Sequence, residues 1–431
     1  MHFSALPLRL FAAFLLCVTS FSSAETLVFP PYGHSYGIRK ATPKHLFMFF
    51  GPRTFFDDPQ GLATARMESR DDPSTESDDD EVVVYGVNSG RHQIIYNTTM
   101  WTLGLFGSKG SGTGEFRNPK GIACDPHGNV YVADAGNNRI VRLFNPRKKL
   151  RWVKAFSGRH ATDRGLKNPS QVALDEEGRV YVTDTDNSRV VVFDSTGRAL
   201  RYIPGEKSYS FESGPTTLAV ADGRSRWSYF NGDRFMVCAD RGGRRLWKID
   251  FKGTVKDSTI LPQPYRASYA AVDYYHNIWL TDKDSHCVIK LDRNLKLLDV
   301  VGTHGKGDYQ FDQPRGIAIW KRYGQTFVAE KKGAQYYWIG TELAEHTLRP
   351  VDEKRYSLST NLTEYSYATL FRVEGNDTLR LLKKKMIYPG QQETIFSCTA
   401  PCEGEYVLRI EPTYSSYTYY RWDFPLRLGA R

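Results

Sequence analysis

Residues 118–144 read NPKGIACDPHGNVYVADAGNNRIVRLF, and residues 168–193 read NPSQVALDEEGRVYVTDTDNSRVVVF. They are one unit written twice. A short apolar strand (GIACD, QVALD) leads into a Gly turn (HGN, EGR). A second strand (VYVAD, VYVTD) leads into a polar turn (AGNNR, TDNSR), and a third strand follows (IVRLF, VVVF). Runs of β-branched and aromatic residues punctuated by Gly, Asn and Asp are the pattern of short strands joined by tight turns. Self-similarity at a fixed period marks a repeat architecture.

Looser copies extend the series. Residues 215–250 carry TTLAVAD, RFMVCAD and RRLWKID; residues 269–292 carry YAAVD, NIWLTD and CVIKLD. Residues 313–340 carry QPRGIAIW, QTFVAE and AQYYWIG, and an earlier copy between 58 and 96 carries DPQGLATA, EVVVYG and HQIIY. The second strands end on Asp134, Asp184, Asp240, Asp282 and Glu330, with Gly86 read at that place in the first copy. The period is about 50 residues, within the range of propeller and solenoid repeats. An apolar strand ending in Gly also recurs, as LFMFFG (46–51), TLGLFG (102–107) and LLDVVG (297–302). Four short antiparallel strands make one blade, and a ring of blades protects the edges that one blade leaves bare. The expected fold is therefore all-β: a six-bladed β-propeller over 46–340, followed by a small Ig-like β-sandwich. The last copy stops at its third strand, so residues 46–50 are expected to supply its outer strand and close the ring.

The unit NPKGIACDPHGNVYVADAGNNRIVRLF resembles an NHL repeat, and six such copies resemble a six-bladed NHL propeller. The resemblance implies that Asp134, Asn138, Arg139, Asp184 and Arg189 shape the blade. Asp240, Asp282 and Glu330 are read as the same repeat anchors.

Outside the ring the chain divides as follows. Residues 1–24 hold Arg9, an apolar run from 10 to 18 and Ser22-Ser23-Ala24, the anatomy of a secretory signal peptide. Residues 25–45 are a lead-in, and 341–353 a polar linker. Residues 354–431 alternate as short strands with turn signals at Asn376-Asp377 and Pro389-Gly390, which suits a sandwich. This tail resembles the Ig-like module of flagellar-hook-capping type, although Phe396-Ser397-Cys398 replaces that module's Trp-Asp-Gly. Cys398 and Cys402 are expected to form a local disulfide. Cys124, Cys238 and Cys287 lie in strand patterns and read as core residues. Copy one carries an acidic insertion, ESRDDPSTESDDDE (68–81), that lacks the ligand spacing of an EF-hand loop and reads as a solvated loop. Copy four carries GRSRWSYFNGD (223–233).

The formal charge of +10 at pH 7 suits an anionic partner. A chain leaving the cytoplasm meets anionic surface polymers rather than nucleic acid, and no stretch is long and apolar enough to span a membrane. One segment, IWLTDKDSHCVIKL (278–291), resembles the matching blade of the peptidyl-amidoglycolate lyases, which implies a zinc ligand at His286. That family's two further His ligands follow Pro at first-strand starts, where this chain has Lys120, Ser170 and Arg315. A catalytic zinc normally needs three protein ligands. No cofactor and no catalytic residue are therefore expected. The reading is a secreted or envelope-associated binding or scaffold protein whose propeller face holds a protein or glycan, possibly anionic. Arg226, Trp227, Tyr229, Arg241, Lys331 and Lys332 are its candidate contacts, since Trp, Tyr and Arg anchor interfaces. The alternative is a secreted metal-dependent lyase or hydrolase working in the funnel.

Overall fold

The computed structural model describes residues 25–30, 39–68, 82–99, 102–147, 149–158, 165–204, 211, 213–375, 377–398, 404–414 and 420–428. The signal segment, the insertion from residue 69 to 81 and Cys402 lie outside the described residues. No helix among the described residues is long and apolar enough to cross a membrane.

Each repeat folds into a sheet with its strands in chain order. Blade 1 comprises Pro59–Arg66, Val82–Asn88, Gln93–Thr99 and Thr102–Phe106. Blade 2 comprises Pro119–Cys124, Asn129–Asp134, Arg139–Phe144 and Arg151–Phe156. Blade 3 comprises Pro169–Leu174, Val180–Asp184, Arg189–Phe193 and Ala199–Ile203. Blade 4 comprises Pro215–Asp222, Arg234–Asp240, Arg245–Asp250 and Val255–Ile260. Blade 5 comprises Tyr269–Val272, Ile278–Asp282, Cys287–Leu291 and Leu297–Val301. Blade 6 has Ile317–Trp320, Gln325–Glu330 and Gly333–Ile339. First strands of successive blades touch one another, and blade 6 returns to blade 1. Backbones come so close there that a Cβ on Gly316 would lie 2.3 Å from the Gln60 carbonyl oxygen.

The ring closes through the N-terminus, but not through residues 46–50. Leu27–Val28 and Lys40–Ala41 pair antiparallel with Gly333–Ile339 as the outer edge of blade 6. Residues 46–50 instead end a helix, Pro43–Phe50. Thr42 and His45 form a capping box there, and Pro43 occupies the first turn, where its missing N–H costs nothing. A short apolar run fits strand or helix equally, and the cap decides.

A side-chain acceptor organises the corner of each blade, fully or nearly fully buried in blades 1, 2, 3 and 5. Asp134 accepts the Arg117 N–H (2.7 Å), the Asn137 amide (2.8 Å) and the Arg139 guanidinium (2.7 Å). Asp184 does the same with Lys167, Asn187 and Arg189. Asp282 accepts the Arg266 N–H at 2.8 Å, and Glu330 takes that of Asp312 at 3.5 Å. Asp240 departs from the pattern and accepts the Gly243 N–H. In blade 1 the corner residue is Asn88 rather than Gly86: Asn88 Oδ1 accepts the Asp57 N–H at 2.7 Å. An amide oxygen serves where the other copies have a carboxylate, so a search for acids misplaces the first copy by two residues.

The tail is a sandwich of two sheets. Leu343–Pro350, Arg355–Leu362 and Gly390–Ser397 form one; Asp377–Ile387, Ser366–Glu374, Glu405–Pro412 and Trp422–Arg427 form the other. Leu358, Leu370, Leu408 and Ile410 fill the space between them. Most of the segment read as a linker, 341–353, is thus the first strand of the sandwich. Cys398 is buried at the edge of this core.

The sandwich is docked onto blade 5. Tyr275 stacks on Tyr365 (centroids 3.9 Å, 9° between planes) and donates to Thr413 at 2.7 Å. Beside them the Lys290 ammonium meets the Glu364 carboxylate at 2.6 Å, both fully buried. Asp273 shares this chamber, accepting from Asn277 (3.0 Å) and from the Trp279 indole (2.7 Å). Burial pushes the Glu364 carboxyl up to about 7, with Lys290 opposing that shift and Asp273 adding to it. A carboxyl raised on folding binds its proton more tightly in the native state, so stability falls as pH rises from its ordinary value of 4.5 to about 7. Glu364→Gln should flatten that decline in melting temperature. Lys290→Met strands two carboxyls in apolar surroundings and should cost about 3–5 kcal/mol in urea denaturation.

Candidate ligand-binding mouth of the ring

The turns between first and second strands gather at one mouth of the ring. Each needs an acceptor for its own N–H groups. Asp125 takes the Asn129 N–H (2.9 Å), Asp175 that of Arg179 (3.0 Å), Asp222 that of Arg224 (3.1 Å) and Asp273 that of Asn277 (2.9 Å). In blade 6 the pairing of Trp320 with Gln325 puts Trp320 at the place that Asp125 holds opposite Asn129, and Lys321 is an added turn residue after it.

A cavity of about 790 Å³ opens at this mouth, lined by residues of blades 1, 2, 3, 4 and 6. Lys321, Trp320, Arg226, Trp227, Arg142 and Glu176 are among its walls. The copy-four insertion places Trp227 across the mouth, edge-on to Trp320 (centroids 6.2 Å). The Arg226 guanidinium lies 4.7 Å from the Trp227 ring and Arg322 lies 5.0 Å from it, close enough for cation–π attraction. Three of the lining acids are held by basic partners: Glu68 by His127, Asp175 by Arg179, and Glu177 by Arg179 and Arg224. A fourth, Asp125, is held by the Asn129 backbone and amide. Lys321 has no ion pair or hydrogen bond within the described residues. Burial lowers its pKa, opposed by the fields of Glu176, Asp273 and Asp222. The Trp320 indole N–H, itself buried, lacks an acceptor among the described residues.

The candidate contacts read from sequence do not share one surface. Arg226 and Trp227 line this cavity. Tyr229 instead packs against Tyr275 and Tyr365 at the junction with the sandwich. Arg241, Lys331 and Lys332 lie at the opposite mouth, beyond the corner residues, where Arg241 pairs with Asp186 at 2.6 Å. Trp320 and Lys321 went unnoticed in the sequence, yet in the aligned repeats Trp320 takes the place of Asp125 and Asp175 and Lys321 lengthens the turn by one residue.

At the opposite mouth the equivalent innermost residues are occupied with the ring itself. Tyr269 donates to Gln60, Lys120 to Asn168, and Thr216 to the Asp240 carbonyl. Ser170 bonds Thr185, Ser268 accepts the Lys283 N–H, and Arg315 pairs with Asp58 at 2.9 Å. Further from the axis, His286, His304 and Asp312 bring potential ligand atoms within 4.8 Å of one another. His286 already has a place in the repeat. It sits in the left-handed region (φ 58°) and its Nδ1 accepts the Gln313 N–H at 3.1 Å. His92 Nδ1 does this for Asn118 (3.2 Å), and Asn138 Oδ1 for Asn168 (2.8 Å). Each is a latch to the residue before the proline that opens the next blade. Nδ1 also lies 3.1 Å from the Phe311 carbonyl oxygen, so backbone groups engage that nitrogen in either tautomer.

The NHL repeat family model matches residues 116–143 and 166–193. No curated protein matches the chain. Similar solved structures include a gluconolactonase from Xanthomonas campestris (11% identity, TM-score 0.47, 73% of this chain and 96% of that one). A streptogramin B lyase is similar at 13% identity and TM-score 0.44, covering 66% of this chain and 95% of that one. Virginiamycin B lyase from Staphylococcus aureus is similar at 16% identity and TM-score 0.43, covering 62% and 83%. At such identities no chemistry of those proteins passes to this chain.

Asn in place of His286 keeps both the left-handed backbone and the acceptor. His286→Asn should therefore change stability by no more than about 0.5 kcal/mol. Melting with and without added zinc checks this: a zinc-dependent rise in the native protein that His286→Asn abolishes would assign the cluster to metal instead.

Proposed function

We propose that this is a secreted or envelope-associated binding protein of the NHL-propeller type, its six-bladed ring carrying an Ig-like tail. The mouth containing Trp227, Trp320 and Lys321 holds an acidic glycan. One observation carries the reading: blade 6 has Trp320 where blades 2, 3 and 5 have a turn-capping Asp, and the Lys321 that follows it lines the cavity with no ion pair among the described residues. Sugar rings present apolar C–H faces that stack on indoles, and a uronate or sulfate group would meet Lys321 and Arg226. Arg142 supports this with no carboxylate partner among the described residues; its guanidinium bonds Asn129 and the Ser195 carbonyl. Glu176 is the counterweight, disfavouring a dense polyanion and suiting a sparsely charged chain. The Ig-like tail, resembling modules of flagellar-hook-capping type, would serve as a rigid support, since its docking surface is already buried against blade 5.

The alternative, a metal-dependent lyase or hydrolase of the peptidyl-amidoglycolate type, draws on the proximity of His286, His304 and Asp312. The latch geometry of His286 favours the binding reading over it.

Calorimetric titration with a polyuronate, with neutral dextran as the comparison, tests the proposal. Trp227→Ala and Lys321→Gln should each weaken polyuronate binding at least tenfold, about 1.4 kcal/mol or more, the loss expected of an interface anchor. Arg241→Ala, at the other mouth, should leave it unchanged. Equal binding by Trp227→Ala and the native protein would refute this assignment, and capture of an acidic protein instead of the polysaccharide would replace the ligand class.

A further inference from the structure

Five of the six junctions between blades are filled by clusters of at least ten buried apolar residues among the described residues. The sixth, where blade 6 meets blade 1, has a cluster of only three: Val82, Trp320 and Tyr323. The repeat shows why. Two residues before each corner acceptor, blades 2 to 6 carry Val132, Val182, Cys238, Leu280 and Val328, all fully buried, each in the cluster shared with the preceding blade. Blade 1 has Gly86 there. The missing side chain faces blade 6, and a groove of about 290 Å³ opens at that seam.

The groove is lined mostly by apolar side chains, with Arg39, His45, Asn88, Asn97, Gln325 and Gln335 also among its walls. Leu62, Val84, Ile95 and Leu103 line it from blade 1, and Phe327 and Ala334 from blade 6. The N-terminal lead-in adds Arg39, His45 and Leu46, so the helix Pro43–Phe50 borders it. No carboxylate of the described residues lines the groove. Arg39 is exposed and has no ion pair among the described residues. His45 Nδ1 accepts the Thr42 N–H at 3.0 Å, which turns the ring's other nitrogen outward as a donor. Protein interiors are close-packed, and an apolar gap of this size is a place that an apolar ligand fills better than water does. Its volume lies at the lower end of the range for small-molecule sites.

We infer that the seam between blades 6 and 1 binds a single-chain amphiphile: an alkyl chain lies in the space that Gly86 leaves, and an anionic head group lies against Arg39 and His45. The site uses no residue proposed for glycan binding, and its failure would leave that proposal standing.

The test is calorimetric titration of the full chain with dodecanoate and with dodecanol, both below their aggregation concentrations. Saturable one-to-one uptake is expected, tighter for dodecanoate. Gly86→Val restores the side chain of the other blades. Its Cβ would meet only the flexible tip of Leu62 at 3.2 Å and the Ile95 carbonyl oxygen at 3.9 Å. This variant should weaken uptake of both compounds at least tenfold without lowering the melting temperature. Ala334→Leu fills the groove from the opposite wall and serves if Gly86→Val fails to fold. Arg39→Glu should weaken dodecanoate alone. Absence of saturable uptake, or uptake unchanged in the folded filling variant, would overturn the site. Equal affinity for acid and alcohol would overturn the head-group assignment.

Discussion

At the inner corner of a blade the chain must turn from one strand to the next while its backbone N–H groups point into the protein. A buried donor without an acceptor costs about 1–3 kcal/mol. The side chain that ends the second strand removes this cost. Asp134 and Asp184 each take a backbone N–H, a side-chain amide and a guanidinium at once. Desolvation still pushes the Asp184 carboxyl above its ordinary value against those three hydrogen bonds. The corner fixes where the first strand begins, and thereby how close successive first strands lie. The two mouths of the ring follow from that spacing.

Because every blade repeats the same devices, departures from the repeat carry the information. Asn88 replaces a corner acid and keeps its geometry. His92 and His286 replace Asn138 and keep its latch. These exchanges are neutral in design: an acceptor gives way to another acceptor. Lys321 and Gly86 are different in kind. Blade 6 puts Trp320 and an added Lys321 where blades 2, 3 and 5 cap a turn with Asp, and Gly86 empties a position that packs a junction in every other blade. Neither serves the ring, so each has its account in what the ring holds.

The junction between blade 5 and the sandwich is the other place where stability is spent on something besides the ring. Lys290, Glu364 and Asp273 bury one cation with two acids, an arrangement that breaks at high cost yet contributes little over an apolar packing. It does fix the orientation of the sandwich, with the tyrosine cluster around Tyr275, Tyr365 and Tyr414. The same cluster takes in Tyr229, so this aromatic of the inserted loop packs at the junction with the sandwich and not in the cavity beside Trp227.

Periodicity in the sequence sufficed for the repeat and its strand order, because strand patterning and turn chemistry are local and recur in every blade. It also exposed Arg226 and Trp227 as residues outside the repeat's needs. What it left open depends on contacts distant in the chain. Helix or strand for residues 46–50 turned on a cap three residues wide. The partner of Gly333–Ile339 could be named only when Leu27–Val28 was seen beside it. The void at Gly86 exists only because blade 1 meets blade 6, residues that lie at opposite ends of the ring's sequence. Lys321 and Trp227, far apart in the chain, share a cavity because ring closure brings blades 4 and 6 to one mouth.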